Sequence, residues 1–484
     1  MAFTELYCNA STGSNLNAGS TDGAAIFTFA NGDWNATTGT FTAAGQDLSG
    51  ISAGMWASVY LDAATVAVFV GRITIVNDAA DTITVSLTAK SGTAPTTGAT
   101  GRTIKVGGVW KGPNGAEDFP FDFVQNTMTN ASSDAPRTNF KNNATYAITA
   151  AMTLANAGPA AYEGYTTTVG DGGRAVIDGG TVGASYLMLS VAVSNLDFSF
   201  LKFQNNGATG SANAVTCTNG GTERTFRGCV FSNVRGNGLL SQGAPDHIIE
   251  CEAFLCGANN TATYAGFGNT GNGPALYTRC ISHDNAGTNI HGFYVGASAL
   301  LDSCIADTNG ADGINTVAVS TFRAVHCDCY NNVGDGIDLA NTATIPIHIE
   351  SCNLVKNGGW GINGSGAGAR HGYVVNCGFG NGGGTEGNTS GTTTGLKSMQ
   401  ELGSITYVVN VNPWVDPATG DFRINLAAAI NAGRGTFTQT QASYTGAIGY
   451  PDIGASQHLE AAAGVTIPMS ITNIVGCMPA ISSY

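Results

Sequence analysis

Charge is what this sequence lacks most. Asp, Glu, Lys and Arg make up 11% of its 484 residues, where an ordinary soluble domain carries about a quarter. The basic side is the thinner one: 19 Lys and Arg stand against 33 Asp and Glu, a formal net charge of −14. With no basic cluster to offset that balance, a phosphate backbone is repelled, which excludes nucleic acid as the main partner. Long apolar runs are missing too. No stretch reaches the length of a membrane span, so no membrane insertion is expected. The opening residues, MAFTELYCNASTGSNL, carry neither the basic region nor the apolar segment of a secretory signal peptide. The expectation is synthesis in the cytoplasm, with any later role outside a cell reached by lysis or dedicated machinery. Phosphate-loop and dinucleotide fingerprints are also absent, and no cofactor is expected.

What fills the space is small. The chain holds 68 Gly but only 13 Pro, and Asn, Thr and Ala occupy positions where Lys and Glu are usual. Hydrophobic residues are 43%, too many for a disordered chain. Small side chains suit stacked strands and tight turns better than helix bundles.

The 12 cysteines give the organisation. Cys280 begins CISHDNAGTNIHGFYV, Cys304 CIADTNGADGINTVAV, Cys327 CDCYNNVGDGIDLANT, Cys352 CNLVKNGGWGINGSGA and Cys377 CGFGNGGG. The steps between them are 24, 23, 25 and 25 residues. Cys229 and Cys251 continue the series upstream, and the longer step to Cys280 reads as a rung with an insertion. Units of this size are too short for a strand–helix pair and its return. They fit one turn of a coil of two or three short strands, each stacked on its equivalent about 4.8 Å away. The cysteines then form an inward column of reduced packing residues. Asn285, Asn309, Asn332 and Asn357, each five residues after its cysteine, form a second column that hydrogen-bonds turn backbone.

The phrases NGADGIN (309–315), NNVGDGID (331–338) and NGGWGIN (357–363) resemble the pectate-lyase-like superfamily of right-handed parallel β-helices, over roughly residues 140–455. The resemblance implies an all-β solenoid. It leaves activity open, because that fold hosts lyases, hydrolases, adhesins and phage tailspikes.

Around the repeat the sequence changes character. Residues 1–110 alternate apolar and polar positions, as in ASVYLDAATVAVFVGRITIV, and predict a small antiparallel β domain for attachment or capping. Residues 111–140 are a lead-in, with Trp110 and nearby Phe residues closing the first rung. The β-helix is expected over 141–385 and a C-terminal loop and cap over 386–458, with short helices at 396–402 and 425–433 and a closing segment at 415–425. The apolar tail 459–484 is expected to be an interface with another subunit or a particle.

Candidate chemistry falls on two columns. His291, Asp312, Asp335 and Trp360 occupy one equivalent position, each followed by Gly and an apolar residue. Tyr294, Asn315, Asp338 and Asn363 come three residues later and form the second. An aromatic, amides and carboxylates along a groove suit a sugar, so His291, Tyr294, Asn315, Trp360 and Asn363 are candidate glycan ligands. Asp312 and Asp335 on adjacent rungs, with Asp338 as a third, are a candidate catalytic carboxylate set for a glycosidase or lyase. His291 or His283 could assist. The commoner role of Asn-x-x-Asp-Gly-Ile in such repeats is structural, the Asp capping turn backbone. Cys251/Cys256 and Cys327/Cys329 lack partners at zinc spacing, so no metal is expected.

The reading favours a virion protein over a free enzyme: a tail fibre, tailspike or head-attached fibre of a tailed phage. Its expected partners are a host-surface polysaccharide and other virion proteins. Trimeric assembly is implied by the resemblance to tailspikes alone. A polysaccharide lyase or glycosidase, and a bacterial surface adhesin or extracellular filament subunit, remain alternatives.

Overall fold

A computed structural model describes residues 4–12, 23–61, 69–92, 99–108, 136–154, 159–364, 370–380, 399–402, 405–406, 414–416 and 421–424, apart from breaks at 219–222, 244, 260–262, 272, 286, 297, 318–320 and 341–344. The chain winds into a right-handed parallel β-helix of three sheets with 12, 11 and 9 strands, called here the first, second and third sheets. Among the described residues there is no α-helix and a single 3-10 turn, Asp78–Ala80.

One rung shows the grammar. Ala299–Asp302 lies in the first sheet, Ile305–Asp307 in the second and Ile314–Thr316 in the third. Single-residue corners stand at the end of the first-sheet strand, Ser303, and of the second-sheet strand, Thr308, both with left-handed backbone. The same corners recur at Phe200, Glu250, Arg279, His326 and Ser351, and at Asn205, Asp284, Asn331 and Lys356. Left-handed geometry costs an L-residue about 1–2 kcal/mol. The ladder holds it in place: the N–H groups of Arg279, Ser303 and His326 each donate 2.9 Å to a carbonyl of the next rung, so stacking is not interrupted at the bend.

The residue after each first corner is the repeat cysteine. Cys229, Cys251, Cys280, Cys304, Cys327, Cys352 and Cys377 are buried and free. Their thiols reach carbonyls of the preceding rung, as in Cys280 to Ile248 at 3.2 Å and Cys304 to Tyr277 at 3.5 Å. A small apolar side chain with one weak donor fits a corner that leaves a carbonyl to satisfy. Burial, reinforced by neighbouring thiols of the column, pushes Cys304 and Cys352 well above the ordinary thiol range, which makes them inert.

The residue after each second corner is the repeat asparagine. Asn285 Nδ2 donates to Asn309 Oδ1, Asn309 to Asn332 and Asn332 to Asn357, each at 2.8 Å. Asn332 Oδ1 also accepts the Asn309 N–H, while its Nδ2 donates to the Ala306 carbonyl. The remaining core is stacked rings and branched aliphatics, for example Phe198 on Phe226 at 4.7 Å and Phe267 on Phe293 at 5.3 Å.

Three expectations are revised. Thr4–Cys8 is the first strand of the first sheet, pairing in parallel with Pro136–Lys141, so the N-terminal β domain is an insertion within the first rungs. That domain is a closed six-stranded barrel, Ala25–Gly107, with its own core around Trp34, Phe41, Phe69 and Ile104. The solenoid begins earlier than residue 141 and its last strands are Met399–Leu402 and Ile405–Thr406, beyond 385. Met399–Leu402 is therefore strand where a helix was expected over 396–402: its helix-forming residues meet an open ladder edge, and those backbone partners override propensity. Within the expected closing segment, Trp414–Asp416 pairs antiparallel with Asp421–Ile424, and the Trp414 ring meets Tyr330 at 5.2 Å. Trp110, residues 425–433 and the tail 459–484 lie outside the described residues.

Candidate functional site

The third sheet carries the candidate site. Its outward positions run Thr216, Leu240, Gly268, Tyr294, Asn315, Asp338, Asn363 in strict register. Outward residues of a short strand are normally well exposed, yet Thr216, Leu240 and Asn315 are buried. They form the floor of a recess, while Tyr294, Asp338 and Asn363 are half-buried.

One wall of the recess is the turn that precedes these strands, and it holds the other predicted column. Asp312 Oδ1 accepts the Asp335 N–H at 2.7 Å, and Asp335 Oδ1 accepts the Trp360 N–H. His291 Nδ1 faces the Asp312 N–H and the Asp312 Oδ2, both at 3.2 Å. Nδ1 accepts from the amide when the ring is neutral and donates to the carboxylate when it is protonated. The task is common to every member: each side chain catches the N–H of the equivalent residue one rung on, which the turn leaves without a strand partner. Asn213 and Asn237 do the same upstream, for Asn237 and Ala265 at 2.8 Å, and sequence reading missed them. Their 24-residue spacing was the available signal.

The second carboxylate oxygens link the columns. Asp312 Oδ2 accepts from Asn315 Nδ2 at 2.8 Å, and Asp335 Oδ2 from Asn363 Nδ2 at 2.7 Å. Asn315 also reaches Asp338 Oδ2 at 3.1 Å. The Tyr294 ring lies 5.6 Å from His291, nearly parallel. Thus all eight predicted residues come together in one continuous network. Burial works to raise Asp312, but the His291 contact and the hydrogen bonds from Asn315 and the Asp335 backbone outweigh it, and its carboxyl sits below the usual range. Burial, with the nearby Asp312 charge, raises Asp335. Burial likewise raises Tyr294.

His283, the other histidine considered, belongs to a separate cluster on the outer face of the second sheet. Its Nε2 is 3.1 Å from Glu252 and its Nδ1 2.8 Å from Asp284, and its ring stacks on Phe254 at 5.2 Å. Burial alone would lower its pKa, but the two carboxylates hold it up. Asp307, next in the same row, is raised to about 6, first by burial and then by Asp284. On the barrel, a groove of about 610 Å³ is lined by Asp33, Asn35, Thr37, Thr38, Thr40 and Thr42. Among the described residues no three His, Cys, Asp or Glu side chains converge as a metal site.

The family described as "right handed beta helix region" matches residues 213–379. No curated protein sequence matches the chain. Among solved structures it is similar to pectate lyase Pel9A, at 19% identity and a TM-score of 0.44, over 67% of this chain and 88% of that one. It is also similar to the Dettilon tailspike protein, at 14% identity and 0.30, over 57% and 55%. The periplasmic alginate epimerase AlgG is a third, at 10% identity and 0.32, over 56% and 77%. What these proteins share with this chain is the parallel β-helix fold.

Proposed function

We propose that this chain is a glycan-binding virion protein, a tail fibre, tailspike or head-attached fibre of a tailed phage. The observation that carries the glycan part is the recessed row Tyr294, Asn315, Asp338, Asn363 beside His291 and Trp360. Amides and carboxylates give directed hydrogen bonds to hydroxyls, and the rings give an apolar contact for a sugar face. The barrel, a separately cored unit inserted at one end of the rod, is suited to attachment. Homotrimeric assembly and contacts with other virion proteins belong to this proposal, as do synthesis in a host cytoplasm and docking through the tail 459–484.

Mass spectrometry of purified particles, with the solution mass of the chain, tests the virion part. A stable monomer that is absent from particles overturns it. For the glycan part, Tyr294→Ala is expected to lower affinity for bound polysaccharide at least about tenfold. Glycoside cleavage is a second reading, favoured by one observation: Asp312 and Asp335 have their pKa values pushed apart. New reducing ends or unsaturated products, abolished by Asp335→Asn, would establish it.

A further inference from the structure

Building on the glycan reading, we infer that the recess on the third sheet takes glycan chains free of carboxylate and sulfate groups and rejects polyuronates. Recognition of an anionic sugar calls for Arg or Lys aimed at its carboxylate, with guanidinium pairs the strongest form. Nothing of the kind faces this recess.

Between residues 286 and 369 the sequence holds only two cations of that sort, Arg323 and Lys356. Both are placed elsewhere. Arg323 stands on the outer face of the first sheet, in register with Leu300 and His348. Lys356 lies just past the second sheet, its Nζ bonded to the Tyr330 hydroxyl at 3.2 Å and lying 5.5 Å from that ring's centre. The recess itself brings Asp312, Asp335 and Asp338 within one hydrogen-bonded network, with the Asn315 amide bridging the first and third. Its one basic group, His291, already faces Asp312. A divalent cation could in principle bridge protein and uronate carboxylates, but no three ligating side chains converge among the described residues.

The consequence is a field of one sign over the half-buried row that a sugar would touch. Repulsion between charges a few ångströms apart in a partly desolvated groove is only weakly screened at physiological salt. Neutral hydroxyls meet no such cost, and the same carboxylates accept hydrogen bonds from them.

The test is binding of the full chain, by isothermal titration and affinity electrophoresis, to neutral glucans, mannans and galactans and to polygalacturonate and alginate. Each is run in chelator and with calcium, at low and physiological salt. The expected result is binding to a neutral chain, weakened by Tyr294→Ala. Polygalacturonate should bind at least tenfold more weakly, and any residual binding should strengthen with salt as repulsion is screened. Asp338→Lys should raise polygalacturonate affinity about tenfold or more. Asp338→Asn, a smaller change that keeps the shape of the side chain, should move it in the same direction. Polyuronate binding to the wild type that Tyr294→Ala abolishes, with or without calcium, would overturn this inference while leaving glycan binding intact. Failure to bind any glycan would overturn both.

Discussion

Two columns of the same rungs face the same physical problem and solve it differently. The inner column, Asn285 to Asn357, uses one residue type on four successive rungs, and each amide is tied to the next at 2.8 Å. The outer column carries Asn213, Asn237, Ala265, His291, Asp312, Asp335 and Trp360. Five of those side chains also catch an N–H of the following rung. One residue type would suffice there too. Sequence variety where the backbone task is constant, at a surface rather than in the core, is what a column adapted to an external ligand would have. The inner column is set by the fold alone.

The largest effect should come from breaking the inner column. Asn332→Ala removes an acceptor for the Asn309 backbone and amide and a donor to Ala306 and Asn357. Several buried groups lose partners at once, so a loss of about 3–5 kcal/mol is expected by chemical denaturation. Hydrogen exchange should localise the opening to the neighbouring rungs, since solenoid repeats contact mainly their neighbours. A loss below about 1 kcal/mol would mean that the inner column is no more structural than the outer one.

Smaller losses should come from the outer column. Asp335→Ala strips acceptors from the Trp360 N–H and Asn363, at about 1–3 kcal/mol. Asp335→Asn keeps an acceptor and should cost less than about 1 kcal/mol. His291→Asn likewise keeps an acceptor for Asp312 and should barely move stability, while lowering glycan affinity. If His291→Asn destabilises as strongly as Asn332→Ala, the contrast between the columns fails.

The smallest effects are pH-linked, and the sign differs by cluster. Asp307 is raised to about 6, so the folded protein binds that proton more tightly than the unfolded chain. Its effect is to raise stability as pH falls from neutrality through about 6, by about 1–3 kcal/mol at most. His283, also raised, adds stability that is present below its unfolded value and is lost as pH rises through the folded one. Asp335 acts in the same sense as Asp307. Asp312 and Glu252 are lowered, and their contributions are present above the unfolded carboxylate range and lost as pH falls through their folded values. Urea unfolding at pH 8, 5 and 3 should therefore give the highest midpoint at pH 5. Asp307→Asn should flatten the rise between pH 8 and pH 5.

How much of this was legible depended on repetition. The Cys and Asn columns could be read because buried, stacked positions demand one shape on every rung, which leaves a period in the sequence. The two candidate columns emerged from the same alignment, so all eight of their residues were found together. The corners left no such trace. Phe200, Glu250, Arg279, Ser303 and His326 share a left-handed backbone, but their side chains point away from the core and nothing constrains their type. Thr4–Cys8 was hidden for another reason. Its partner Pro136–Lys141 lies more than a hundred residues downstream, across the inserted barrel, and no local pattern signals a parallel pairing at that distance.

The sequence by itself determined the coil: the period, the inward cysteines and asparagines, and the shortage of cations along residues 286–369. These come from composition and spacing, because stacking identical rungs turns a linear repeat into columns. Tertiary structure alone decided what the outer column does. Asp312 and Asp335 read as a carboxylate pair until their Oδ1 atoms are seen to hold the N–H of the next rung, which only the register between rungs can fix. It also decided that the floor beside them is recessed, because burial of outward residues depends on the walls around a strand and not on the strand itself.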